Sequence, residues 1–196
     1  MHTFYLVRHA EKLKIIGDPP LSDLGNKQAV LTANYFRSLP ISKIVSSPIL
    51  RTFQTAEQIG KALGIKVETS DLLKERVNWG DDPSQSFDEF TKMWIRSSQN
   101  RNWQPPVGDS SYNCGKRLQK LIENLMSEFD THIVLVTHGG IISDFLRNTF
   151  QPEELNQFIP NFVTPLDDNI KETSITTLVR KDDKYILRKL GDVTHL

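Results

Sequence analysis

Two short stretches of the chain carry an apolar, β-prone run straight onto a histidine. In the first, Phe4-Tyr5-Leu6-Val7 ends on Arg8-His9 with no turn residue between; in the second, Ile133-Val134-Leu135-Val136-Thr137 delivers His138, followed by Gly139-Gly140. A buried strand of this kind hands its last side chains to the carboxyl edge, where open α/β sheets bind ligands. One histidine at a strand end is more often structural than catalytic. Two on neighbouring parallel strands would bring their imidazoles to one point. A third stretch, Ser46-Ser47-Pro48-Ile49-Leu50-Arg51, puts Arg51 in the first turn of a helix, where the macrodipole favours acids, so an anion outside the chain is expected there. Gly139-Gly140 opens another helix, whose amides can receive an anion. Two arginines, two histidines and a helix N-terminus make a pocket for a tetrahedral dianion, because guanidinium forks match phosphate oxygens.

The elements that hold these residues follow from periodicity. The loop from Lys12 to Pro20 contains Gly17 and Pro19-Pro20, which stop a helix there. Ser22 suits an N-cap, and Ala29, Val30, Ala33 and Phe36 set a helix over Asp23 to Ser38. Ile41 to Val45 reads as a strand, Leu50 to Leu63 as a helix closed by Gly64, and Ile65 to Glu68 as a strand. Residues Asp71 to Pro106 leave the alternation, with Trp79 to Pro83 as a loop and Phe87 to Ser97 as a helix, and form a lid-like excursion. Leu118, Leu121, Ile122, Leu125, Met126 and Phe129 mark a core helix, Ile141 to Thr149 another, and Thr173 to Arg180 with Tyr185 to Leu190 a closing hairpin. The order implies an α/β fold, a three-layer α/β/α sandwich with a mostly parallel central sheet.

At 196 residues the chain suits a single domain with a sizeable core. Lys plus Arg and Asp plus Glu are 24 each, so charge gives no case for nucleic acid or a membrane as partner. The one cysteine, Cys114, leaves no internal disulfide, points to a reducing compartment and reads as a small buried hydrophobe. No stretch is an apolar membrane span, and the first residues lack the make-up of a signal peptide, so a cytoplasmic location is expected. His2, His132 and His195 read as structural or solvated, Arg117 as a helix-face ion-pair residue, and Trp79, Trp94 and Trp103 as core or lid packing. No His-x-x-x-His spacing occurs, and no metal site is expected.

These motifs resemble those of the histidine phosphatase superfamily, the phosphoglycerate-mutase-like proteins. Leu6-Val7-Arg8-His9-Ala10-Glu11 is similar to the family's Arg-His-Gly signature, Ser46 to Ala56 to its Ser-Ser-Pro-x-x-Arg-x-x-x-Thr-Ala segment, and Thr137-His138-Gly139-Gly140 to its second-histidine motif. Leu21-Ser22, Gly25 and Gln28-Ala29 resemble its first helix start, Leu73-Lys74-Glu75 its proton-donor segment, and Val193 to Leu196 its usual terminus. Carried over, the resemblance makes His9 a nucleophile that forms a phosphohistidine. It gives Arg8, Arg51 and His138 the phosphoryl oxygens, with Gly139 beside them, and Glu75 the proton of the leaving alcohol. It implies a metal-independent histidine acid-type phosphatase, a phosphoric monoester hydrolase without cofactor, acting on a small-molecule phosphomonoester or a phosphoprotein.

Ala10 stands where the family most often has Gly, and Ile15 where mutase-like members have Asn, in a shortened loop. The lost Asn argues against the usual sugar-phosphate clamp, and the modest chain length, which leaves the site less covered, favours hydrolysis over mutase transfer. A phosphoglycerate-mutase-type isomerase and a non-catalytic phospho-ligand module are the alternatives, and the natural substrate and oligomeric state are left open.

Overall fold

The computed structural model describes residues 1–126, 131–162 and 169–196. Six strands form one sheet: β1 (His2–Arg8), β2 (Lys43–Ser46), β3 (Val67–Thr69), β4 (Thr131–Thr137), β5 (Ile175–Lys181) and β6 (Lys184–Asp192). Their spatial order is β3-β2-β4-β1-β5-β6. β1, β2, β3 and β4 run parallel, and β5 and β6 add an antiparallel edge. Among the described residues the α-helices are α1 (Asp23–Phe36), α2 (Leu50–Leu63), α3 (Phe87–Gln99), α4 (Ser111–Asn124), α5 (Gly139–Thr149) and α6 (Pro152–Asn156).

The two-residue period of the strands sorts the core into two halves. Phe4, Leu6, Ile133 and Leu135 face one way and pack with Leu118 and Ile122 of α4 and Phe145 of α5. Tyr5, Val7, Val134 and Val136 face the other way and pack with Phe36 of α1 and Ile59 of α2. Because β1 and β4 are covered on both faces, their sequences are continuous apolar runs, as parallel central strands require. This is the three-layer α/β/α arrangement expected from the element order.

Local signals hold with small shifts. Ser22 caps α1 by accepting from Gly25 N at 3.0 Å, and Gly64 closes α2 with φ +69°. Ile65 N donates to Gly60 O at 3.0 Å to finish that cap, so β3 begins at Val67 and not at Ile65. Val30, read as apolar-face, is 47 % exposed, and the buried stripe of α1 runs through Ala29, Thr32, Ala33 and Phe36. α4 stops at Asn124, leaving Met126 exposed; Phe129, assigned to the same helix, lies outside the described residues. The excursion holds a 3-10 turn at Asp71–Leu73 and α3, which Ser86 and Glu89 begin with a capping box. No helix among the described residues is long and apolar enough to cross a membrane.

Candidate active site

β1 and β4 pair in parallel with Arg8 opposite Thr137, and His9 N donates to Thr137 O at 2.9 Å. His9 and His138 therefore leave the sheet side by side, with ring centroids 5.3 Å apart and planes at 70°. Both rings are buried.

Hydrogen bonds assign the two imidazoles opposite tautomers. His9 Nδ1–H donates to Ala10 O at 2.8 Å, which leaves its Nε2 lone pair to accept from Arg51 Nε at 3.1 Å. His138 Nδ1 accepts from Arg51 Nη2 at 3.1 Å, while its Nε2–H donates to Ser47 Oγ at 3.1 Å. Two lone pairs thus converge on one guanidinium. Burial first, and the Arg51 charge second, hold both histidines well below the ordinary imidazole value, so both are neutral near neutral pH.

Arg51 itself is placed by loops. α2 has no side-chain cap at Ile49; Asp18 supplies one from outside, accepting from Leu50 N at 3.0 Å and lying 3.9 Å from Arg51 Nη1. An acid of the chain itself thus sits at this helix start, which corrects the expectation that an outside anion alone accounts for Arg51. Arg51 Nη2 also donates to Asn78 Oδ1 at 2.7 Å. Arg8 leaves β1 one residue earlier, donates through Nη1 to Ile170 O at 2.5 Å and has Glu172 3.8 Å from Nη2. Its side chain runs along Gly139, where a Cβ would lie 3.3 Å from Arg8 Cδ.

Glu75 reaches the site from the excursion. Its Oε2 accepts from Gly140 N at 2.9 Å and its Oε1 from Arg76 N at 2.9 Å. The Gly140 amide, expected to be offered to an outside anion, is therefore already taken by a carboxylate of the chain. Arg117 fixes the backbone of this segment, donating to Leu72 O at 3.0 Å, Lys74 O at 2.9 Å and Glu75 O at 3.3 Å, besides pairing with Asp109 at 2.6 Å. The ion-pair role read from the sequence is the smaller part of what it does. Ala10 keeps an ordinary φ, and its N donates to Thr55 Oγ1 at 3.0 Å, so the methyl group beside His9 adds no strain.

Arg8, His9, Arg51, Glu75, His138 and Gly139 all line one cavity of about 510 Å³. Every expected site residue is in it. Sequence reasoning missed Asp18, Ser47, Asn78, and a buried pair behind Glu75, Arg76 and Asp144. Arg76 is 4 % exposed, donates to Ser111 Oγ, to Ser98 Oγ at 2.6 Å and to Asp144 Oδ2 at 3.4 Å, and stacks 3.6 Å over Trp94. Burial raises the Asp144 carboxyl to about 6 against the pull of Arg76. These partners come from four separated segments, and no spacing in the sequence announces them. Trp79 and Trp94, read as packing, are walls of the cavity. The other histidines are structural: His2 pairs with Thr131, His132 with Tyr5 and His195 with Thr32. Cys114 is fully buried, and burial pushes its thiol well up.

The same arrangement of elements occurs in solved structures. The mycobacterial glucosyl-3-phosphoglycerate phosphatase in complex with inorganic phosphate superposes with a TM-score of 0.75 at 23 % identity, covering 100 % of both chains. A phosphoserine phosphatase of Entamoeba histolytica gives 0.71 at 23 % identity, again over 100 % of both chains. At these identities the likeness establishes the fold. A probable phosphoglycerate mutase of Yersinia pestis is 32 % identical over 148 residues, which is 69 % of this chain and 68 % of that protein. The family profile of the histidine phosphatase superfamily, branch 1, matches residues 4–193, from the strand that carries His9 to the last residues of the chain. With the histidines, the arginines and the sheet that joins them falling inside that match, this chain belongs to the histidine phosphatase superfamily.

Proposed function

We propose that the chain is a phosphomonoesterase that works through a phosphohistidine on His9 Nε2, its 196 residues acting as a single domain. The observation that carries this reading is the tautomer of His9: with Nδ1–H spent on Ala10 O, the nucleophilic lone pair is on Nε2 and faces the cavity cations. In the first step Nε2 bonds to phosphorus as the phosphorus–oxygen bond to the alcohol breaks. The electron pair leaves on that oxygen, and Glu75 supplies its proton. Arg8 and Arg51 take the phosphoryl oxygens, where positioning and charge do most of the work of phosphoryl transfer. In the second step Glu75 takes a proton from water, the oxygen attacks phosphorus, and the phosphorus–nitrogen bond returns its pair to Nε2.

A rapid quench with a labelled phosphomonoester should trap an acid-labile, base-stable phosphoryl group on this protein and none on His9→Ala. Stoichiometric label on His9→Ala would overturn the reading. The mutase reading is favoured by the identity to the probable phosphoglycerate mutase. It is disfavoured by Ile15, an apolar cavity residue with no hydrogen-bonding group in its side chain. Turnover that depends on a bisphosphorylated primer would decide for the mutase.

A further inference from the structure

We propose, building on the phosphatase reading above, that the alcohol half of the substrate is an aromatic or similarly flat apolar body. It would seat on a run of four rings formed by Trp79, Phe87, Phe90 and Trp94. The rings follow one another: Trp79 to Phe87 at 4.9 Å, Phe87 to Phe90 at 6.4 Å, and Phe90 to Trp94 at 6.0 Å between centroids. All four line the cavity that holds His9.

α3 is inverted relative to an ordinary surface helix. Such a helix turns its bulky apolar residues to the core. Here the buried positions are Met93, Ser97 and Ser98, two of them small and polar, while Phe87, Phe90 and Trp94 line the cavity. Phe87 is 59 % exposed, and across the mouth Ile15 is 54 % exposed. The two sides of the mouth are tied, because Gly17 N donates to Trp79 O at 3.1 Å. Large apolar groups gathered at the opening of a cavity mark a binding surface more than a packing one.

The run also starts at the right place. A Cβ on Gly140 would sit 2.6 Å from Glu75 Oε1 and 2.7 Å from Trp94 Cη2, so the carboxylate and the indole edge share one corner of the cavity. A group protonated by Glu75 as it leaves is the alcohol oxygen, and what lies beyond that oxygen meets Trp94 first. Charge agrees with this polarity. Arg8, Lys12 and Arg51 gather where the phosphate would be; burial first, then the charges of Arg51 and Arg8, lower the Lys12 value. On the ring side Arg76 gives its two Nη groups to Ser98, Ser111 and Asp144, and Arg147 donates to Ser98 O at 3.2 Å. The ring face therefore favours a body held by area and stacking over one held by ion pairs.

The test compares phenethyl phosphate with ethyl phosphate and glycerol phosphate, all esters of alkyl alcohols, so that leaving-group chemistry does not separate them. The expected kcat/KM ratio of phenethyl to ethyl ester is about 10- to 100-fold, the range for burying one phenyl ring. Phe87→Ala, a change at an exposed position, should pull that ratio several-fold toward one. Equal kcat/KM for the three esters, or a ratio unmoved by both Phe87→Ala and Trp79→Ala, would overturn the substrate class and leave the phosphatase reading standing. If none of the three is hydrolysed and His9 takes no label, the phosphatase reading falls and this one with it.

Discussion

Arg51 Nε donates to His9 Nε2 at 3.1 Å, the same nitrogen whose lone pair would attack phosphorus. A lone pair that accepts a hydrogen bond is not free to form a bond to phosphorus. On the phosphohistidine reading the guanidinium would pass its donors to phosphoryl oxygens in the step that frees the nucleophile. A forked donor set suits both, holding the imidazole in line and then clamping two oxygens in a fixed planar geometry. Arg51→Lys keeps the charge and loses the fork. It should lower kcat/KM by about 100- to 1000-fold, the usual scale for a lost oxyanion contact. A loss under tenfold in steady-state assays would mean that charge alone suffices.

His138 makes a prediction about protons. Its Nδ1 accepts from Arg51, and burial keeps the ring neutral near neutral pH. As a neutral acceptor, that nitrogen repels a phosphate oxygen. A bound dianion would favour the protonated ring, so the histidine value is raised in the complex relative to the free protein. Linkage then gives proton uptake on binding, and inorganic phosphate should bind more tightly as pH falls through the mildly alkaline range in which it remains the dianion. Calorimetry in buffers of different ionisation enthalpy should show uptake of about one proton at mildly alkaline pH, where phosphate is the dianion. No uptake, or affinity that weakens as pH falls, would mean that His138 stays neutral and that the arginines alone hold the ligand.

What was legible in the sequence were features that a single segment decides. An apolar run ending on Arg8-His9 fixes a buried strand and the place of its last side chains, and the same logic finds His138. Ser22, Gly64 and the helical periods locate helices within a few residues because caps and turns are local chemistry. The lining of the cavity is another matter. Arg76, Asp144, Ser98 and Ser111 meet from four segments, and each alone reads as a common polar residue. The rings of α3 carry a helical period that a core-facing stripe would also show. Which side of a helix faces core and which faces a cavity depends on what packs against it, and period alone is silent on that.

The Arg76–Asp144 pair is nearly fully buried on both sides, with side chains 3 % exposed each. Arg76→Met removes one partner, leaves the carboxylate buried without its ion pair, and should destabilise the fold by about 3–5 kcal/mol in urea unfolding. Adding Asp144→Leu should recover most of this, since an apolar pair of similar volume replaces a charged one at little cost. The sign with pH follows from Asp144, whose folded value of about 6 lies above the ordinary carboxyl range. Arg76 pulls that value down, so losing it raises the folded carboxyl further, and the deficit of Arg76→Met should shrink as pH falls toward about 6 and level off below it. A deficit that is constant with pH would mean that Arg76 acts through its stacking on Trp94 and not through charge.

Glu75 offers the sharpest test of roles. It and Asp144 are the carboxylates among the described residues that line the cavity, whereas Glu11 is held aside by Ser22 Oγ at 2.7 Å and Asp81 by Asn78 N at 2.8 Å. If Glu75 protonates the leaving oxygen, Glu75→Gln should slow alkyl phosphates by about two to four orders of magnitude. An aryl phosphate with a good leaving group needs less help, so its burst phase should lose much less; steady state could hide this behind slow hydrolysis of the phosphohistidine. Gly140→Ala supplies a second handle that leaves the carboxylate chemistry in place. Its Cβ would press within 2.6 Å of Glu75 Oε1 and displace the group from its amide partner. It should therefore reproduce the same ordering, alkyl hurt more than aryl, at smaller amplitude. Equal burst losses for the two ester classes in both variants would make Glu75 a structural ligand of the α5 N-terminus. Asp144, raised to about 6 and lining the same cavity, would then be the acid to test by Asp144→Asn.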